Sequence, residues 1–216
     1  MISILLATYN GENYIKESID SILNQTYTDW ELLIGFNGTI DNSKVIVEQY
    51  NDPRIRVFDY GMDAGKAKTL NKMLKEAKYD WCAIQDDDDA WEPNKLEIQV
   101  RYCDNFDIIG TFINYVDKDS KHIRTLELRC SDDEIKHFSA MGKNQVANTS
   151  AIFKTKDALE LNGWNTELDG IEDFDFWLRL MRSGKKFINI PKHLVNHRIH
   201  NNSNFNTKKH DLSKIL

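Results

Sequence analysis

Four consecutive aspartates, Asp86, Asp87, Asp88 and Asp89, lie between the apolar segment Trp81-Cys82-Ala83-Ile84 and Trp91. Carboxylates crowded at the end of a buried strand repel one another unless something positive sits among them. A hard divalent cation such as Mg²⁺ or Mn²⁺ takes oxygen ligands and tolerates a phosphate in the same shell. The competing reading is a solvated acidic loop. An EF-hand is excluded: counted from Asp86, its fifth and sixth positions hold Ala90 and Trp91 where a ligand oxygen and a glycine are required, and Pro93 follows.

A second group of acids, Glu172, Asp173 and Asp175, precedes Trp177, Leu178 and Met181 at helical spacing. The positive end of a helix dipole favours carboxylates there whether or not they do chemistry. Lys66 and Lys68, at the start of a helical pattern after Gly65, could meet a phosphate, although lysines on a helix face are commonly just solvated. His200 follows Arg198 near the end of the chain; a lone histidine there is ordinarily a surface or packing residue.

The elements that must position these groups follow an alternating pattern. Apolar runs at 2–7, 30–36, 54–58 and 81–85 read as strands covered on both faces. Between them, apolar residues recur at helical spacing near 15–24, through Val45, Ile46 and Gln49, and from Ala67 to Ala77. Strand–helix repetition of this kind predicts a parallel sheet with helices on both faces, and such sheets bind ligands beyond the carboxyl ends of their strands. The turns at 8–11, 36–38 and 86–89 all fall at those ends and should converge. Pro93 predicts a helix entry, with Asp89 as its possible cap.

After residue 105 the pattern changes. Ile108–Val116 and Ile123–Leu128 predict a hairpin, Ser131 to Glu134 a capped helix start, and 148–154 a strand. A short helix ends at Gly163, a longer one runs from Glu172 to Gly184, and Pro191 separates two further strands, 188–190 and 194–199. From Asn201 the chain is polar and expected to be loose.

The sequence has 216 residues, 41% hydrophobic and 29% charged, with three prolines, which suits a globular chain with a sizeable core. A net charge of −6 argues against nucleic acid as a partner, but not against a single nucleotide. Cys82, Cys103 and Cys130 form no disulfide or zinc pattern and favour a reducing, cytoplasmic setting. Met1 to Ala7 reads as a strand and not a signal peptide, and no segment approaches the roughly 20 apolar residues of a membrane span.

Taken together, several stretches resemble the inverting family 2 glycosyltransferases of the GT-A fold. These are Ile4-Leu5-Leu6-Ala7-Thr8-Tyr9-Asn10, Ser21 to Tyr27 with Trp30-Glu31-Leu32, the segment from Gly65 to Asn71, Asp86 to Trp91 with Pro93 and Leu96, Gly170 to Leu180, and Arg198-Ile199-His200. The resemblance covers about residues 2–203. It implies an α/β, Rossmann-like, mostly parallel sheet with a smaller antiparallel acceptor-side region, all in one domain. Residues 1–105 would form the nucleotide-sugar half, 106–203 the acceptor half, and 204–216 a loose tail.

The resemblance also implies a metal-dependent transferase of polysaccharide biosynthesis, moving sugar from a nucleotide-sugar to a hydroxyl of a glycan, lipid-linked or protein acceptor. Asp88 and His200 are the implied Mn²⁺ or Mg²⁺ ligands and Asp173 the general base, with Glu172 orienting the acceptor. Ala7, Thr8, Tyr9, Asn37, Lys66, Lys68, Asn71, Asp86 and Asp87 would line the donor.

The sequence departs from the family at Phe36-Asn37-Gly38-Thr39, where two adjacent aspartates are usual. Asn37 accepts through its amide oxygen but also donates and carries no charge. The family's common UDP-sugar donor therefore competes here with thymidine, guanosine or cytidine donors. An inactive nucleotide-sugar or glycan-binding domain is the alternative function; a nucleotidyltransferase leaves the Glu172-Asp173 helix without a role. Trp164, in a loop after Gly163, is the candidate acceptor platform, and Trp177 is expected in the core.

Overall fold

The computed structural model describes residues 1–61, 65–168, 170–200 and 212–216. In chain order the elements of the first half are β1 (Ile2–Thr8), α1 (Ile15–Leu23), β2 (Trp30–Phe36), α2 (Ser43–Val47), β3 (Ile55–Asp59), α3 (Gly65–Glu76) and β4 (Trp81–Asp86). The second half adds β5 (Ala90–Trp91), α4 (Lys95–Gln99), β6 (Ile108–Val116), β7 (His122–Leu126), α5 (Asp132–Ala140), β8 (Ile152–Lys154), α6 (Thr155–Glu160), α7 (Glu172–Arg182) and β9 (Phe187–Arg198).

One nine-stranded sheet runs through the chain in the order β3-β2-β1-β4-β8-β6-β9-β5, with β7 also paired to β6. The first four strands are parallel. Their apolar runs are buried on both faces because alternate residues serve different cores. Ile2, Ile4 and Leu6 pack with Ile15, Ile19 and Ile22 of α1 on one face. Leu5 and Leu33 pack with Leu70, Met73 and Leu74 of α3, and with Phe176 and Trp177 of α7, on the other. Trp177 is fully buried, as expected for core. Among the described residues no helix is long and apolar enough to cross a membrane.

The second half corrects the expectations in four places. Pro191 does not separate two strands: β9 is continuous, and shifts of register around Phe112 put Pro191 and Lys192 outside the pairing with β6. A bulge is where a residue without an N–H can sit in a ladder. Nor is this region simply antiparallel, because β6 and β9 pair in parallel while β8 and β7 run antiparallel to β6. Within 148–154 only Ile152–Lys154 is strand, and Asn148–Ser150 is a 3-10 turn. Finally, the end of the expected tail is packed: Ile215 is buried with Leu178 and Phe174, and Arg182 donates to its carbonyl at 3.0 Å. The first part of that tail, 201–211, lies outside the described residues.

Ser131 caps α5 as expected, accepting the Glu134 N–H, and its hydroxyl also donates to the Glu134 carboxylate at 2.8 Å. The helix after Pro93 begins at Lys95, with Asn94 and not Asp89 at its cap position.

Candidate active site

The turns after β1, β2 and β4 meet at one end of the sheet. In-register pairing of Ala7 with both Gly35 and Asp86 fixes this, since it brings three strand ends to one level. Asn10 adopts a left-handed φ of 55°, and its side-chain oxygen accepts the Ile40 N–H at 3.0 Å, tying the first turn to the second. Gly11 lies so close to the acidic turn that a Cβ there would fall 2.5 Å from Asp87 Oδ2 and 2.8 Å from Thr8 Oγ1. The Thr8 hydroxyl donates to that same Asp87 oxygen.

Three side chains hold the acidic turn by its backbone. The Asp86 carbonyl accepts the Ser18 hydroxyl at 3.0 Å, the Asp88 carbonyl accepts Arg198 Nε at 2.9 Å, and the Asp89 carbonyl accepts Gln85 Nε2 at 2.7 Å. Gln85 Nε2 also donates to the Ser18 hydroxyl, and Gln85 Oε1 accepts from Thr149. With its backbone satisfied from three elements, the turn keeps one shape despite its charge.

The four aspartates have different surroundings. Asp89 is 1% exposed; its carboxylate accepts the Arg198 backbone N–H and sits 2.9 Å from His197 Nδ1, so it joins the turn to β9 and does not cap α4. Burial alone would depress His197, but the Asp89 carboxylate outweighs it and the imidazole is pushed up to about 9. Asp88 lies 3.0 Å from His200 Nε2. Burial would raise Asp88, yet His200, His197 and Lys66 together hold it below the usual carboxylate range. Asp87 goes the other way: burial, then the charge of Asp88, pushes it up to about 7. Asp86 accepts Lys66 Nζ at 2.7 Å. Burial works against the charge on Lys66, but Asp86, Glu172 and Asp88 more than compensate and its pKa is raised.

Arg198 is 1% exposed and binds far more than one partner. Besides the Asp88 carbonyl, it donates to the Asp117 carbonyl at 3.1 Å, the Ser120 hydroxyl at 3.0 Å and the Glu17 carboxylate at 2.6 Å. Its guanidinium lies 4.7 Å from the Tyr14 ring centre, and the Tyr14 and His200 rings are 5.0 Å apart.

Across from the turn, α7 presents Glu172 and Asp173 in its first turn without a side-chain cap. Glu172 accepts the Gly170 N–H at 2.6 Å. Asp173 Oδ2 accepts Asn144 Nδ2 at 3.3 Å. Burial, then Glu172, pushes the Asp173 carboxyl up to about 7, against the opposing pull of the Phe174 N–H and Lys66. Asp175 is committed elsewhere: it pairs with Arg179 at 2.8 Å, which also donates to the Leu161 and Gly163 carbonyls.

Asn37 Oδ1 accepts the Gly65 N–H at 2.7 Å, satisfying the first amide of α3 from the turn after β2. Tyr9 and Lys68 are exposed, Ala7 is partly buried, and Phe36 fills core at 3% exposure. Asn71 and Trp164 are bound to each other. Asn71 clamps the backbone of Trp164 through both ends of its amide at 2.8 Å, so its polar atoms are used in joining α3 to the loop before α7. Trp164 itself is 2% exposed and packs tilted against Phe176, with ring centres 4.7 Å apart, which removes it as an acceptor platform.

Residues 3–160 match the family model described as glycosyl transferase family 2. The O-antigen biosynthesis glycosyltransferase WbnJ of Escherichia coli is 32% identical over 210 residues, covering 94% of this chain and 81% of that protein. Among solved structures, S. aureus TarS 1-349 in complex with UDP-GlcNAc gives a TM-score of 0.80 at 18% identity, over 99% of this chain and 63% of that one. The mannosyltransferase PcManGT from Pyrobaculum calidifontis, in complex with GDP-Man and Mn²⁺, gives 0.71 at 17% identity, over 93% and 57%. This chain thus spans somewhat less than two thirds of those two structures. It belongs to glycosyltransferase family 2.

Proposed function

We propose that the chain is a metal-dependent inverting glycosyltransferase that moves a sugar from a nucleoside diphosphate donor to a hydroxyl of a glycan or glycoconjugate. One observation carries this reading: Asp88, held charged beside His200, and Asp173, a carboxyl pushed up to about 7, both feel the charge of Lys66 between them. Perturbed groups of opposite tendency around one lysine suit an ion site facing a base.

Among the described residues no three side chains of metal-ligating type converge on one point. Asp88 and His200 alone suit an ion such as Mg²⁺ or Mn²⁺ that keeps water and phosphate in its shell. Such an ion supplies charge relief on the departing diphosphate. The chain's own residues do the rest. Thr8 and Gly11 fix Asp87, and we assign Asp86 and Asp87 to the donor's ribose side. Lys66 is placed at the start of α3 to meet a phosphate in exchange for Asp86. Asp173 takes the proton from the acceptor hydroxyl as that oxygen attacks the anomeric carbon, and a single displacement inverts that centre. Glu172 orients the acceptor. Residues 1–105 would hold the donor and 106–203 the acceptor. The free thiols Cys82, Cys103 and Cys130 suit a reducing compartment such as the cytoplasm.

The donor base is open to a second reading. Because Asn37 Oδ1 already accepts the Gly65 N–H, recognition of a uracil N3–H there is weakened. A thermal-shift panel of UDP, GDP, dTDP and CDP with Mn²⁺ distinguishes the cases. The cognate diphosphate at ~100 times its Kd is expected to add about 2.7 kcal/mol of stability. Asp88→Asn is expected to abolish the Mn²⁺-dependent part of that shift. A native chain that binds a nucleotide-sugar and turns it over with no acceptor and no water would instead be an inactive binding domain.

A further inference from the structure

We propose that Asn144 is a positioning residue for Asp173, its amide N–H₂ fixing the rotation of the carboxylate toward the acceptor hydroxyl. This rests on the reading of Asp173 as the base. The contact is Asn144 Nδ2 to Asp173 Oδ2 at 3.3 Å. The orientation of the amide is set independently, because Asn144 Oδ1 accepts the Val146 N–H at 3.0 Å. With the oxygen turned to its own loop, the nitrogen faces α7.

The loop that carries Asn144 is built to stay in place. Asn189 on β9 is fully buried, and its Nδ2 donates to both the Arg129 and Gln145 carbonyls at 2.7 Å. The Arg129 N–H in turn donates to Gln145 Oε1 at 3.1 Å, and Val146 packs in the core beside Phe176. Asn189 stands against Gly110 of β6, where a Cβ would fall 2.1 Å from Asn189 Oδ1. A strand pair deep in the sheet therefore registers the loop and, through it, the amide. A base oriented by a third, fixed group is the arrangement proton-transfer sites use.

Other groups also face the carboxylate. Glu172 beside it and Asp86 at the end of β4 raise its proton affinity, while Lys66 from α3 and the Phe174 N–H lower it. Asn144 supplies the neutral donor from the loop after α5. Removing a donor from a carboxylate disfavours its charged form.

The test is a carboxyl ¹³C NMR titration of the full chain, with Asp173→Asn assigning the signal, beside the pH profile of nucleotide release from hexose donors that carry the base chosen by the thermal-shift panel. In Asn144→Ala the Asp173 midpoint and the acid limb of the profile are expected to move up together by about half to one pH unit, with KM for donor unchanged. Asn144→Asp keeps the acceptor for the Val146 N–H but replaces the donor with a charge, so the loop persists and the midpoint moves further up. Midpoints unchanged in both variants overturn the positioning role. Turnover that survives Asp173→Asn overturns the base reading instead, whatever the titrations show.

Discussion

Asp173→Asn is expected to bind donor as the native chain does and to lower transfer by about 10²–10⁴-fold, the usual contribution of a general base. Binding is spared because the residues assigned to the donor lie on other elements, β1, α3 and the turns after β1, β2 and β4. The same substitution removes the pH dependence. With the native carboxyl pushed up to about 7, the base is ionised only above that value, so the native rate climbs through pH 7 and the variant's residual rate does not. Stability should move in the opposite direction. A carboxyl whose folded pKa is raised keeps its proton in the folded state after the unfolded chain has lost it. Its presence therefore destabilises increasingly from about pH 4 and levels off above 7. At pH 8, without metal or donor, the variant should melt higher than the native chain. A variant that melts lower at pH 8, or retains native turnover, would refute this account of Asp173.

Arg198→Met should lower stability by about 3–5 kcal/mol, as loss of one partner from a buried charged network does. Methionine fills much of the volume but leaves the Asp88 and Asp117 carbonyls and the Ser120 hydroxyl without the guanidinium. In a domain of this size that is a fall in melting temperature of roughly 6–20 °C. The exposed end of the network contributes little: Glu17 has 47% of its side-chain surface in solvent, so Glu17→Gln should be nearly neutral for stability. Urea melts of the two variants read the contrast directly. Similar losses in both would place the energy in the ion pair and not in the buried carbonyls.

The parallel half of the fold was legible in the residues because a strand covered on both faces announces itself as a continuous apolar run, and four such runs alternate with helical periodicity. The acidic turn was legible for the same reason: chemistry at strand ends follows from the sheet. What was not legible depends on pairings across the chain. Asp89 looked like a helix cap because the nearest helix lay next to it in sequence, whereas its partners, His197 and Arg198, are more than a hundred residues away. His197 carried no signal of its own beside His200. Asn144 sits in a polar loop like any other until Asn189 is seen to hold it. Trp164 looked like a platform because it follows a glycine, but Asn71 draws its backbone inward. Pro191 marked a break only if a bulge is left out of account.

The placement of β9 between β6 and β5 has a consequence for how the protein comes into being. All four aspartates are synthesised well before the strand that supplies His197 and Arg198, with His200 just beyond it. Closing a contact between Asp89 and Arg198, separated by 109 positions, is a late and entropically costly event. A chain stopped before residue 187 carries the whole acidic motif but should gain no stability from Mn²⁺, which a melt with and without the ion would reveal. The acidic motif should therefore stay without these partners in the nascent polypeptide until β9 slots into the sheet.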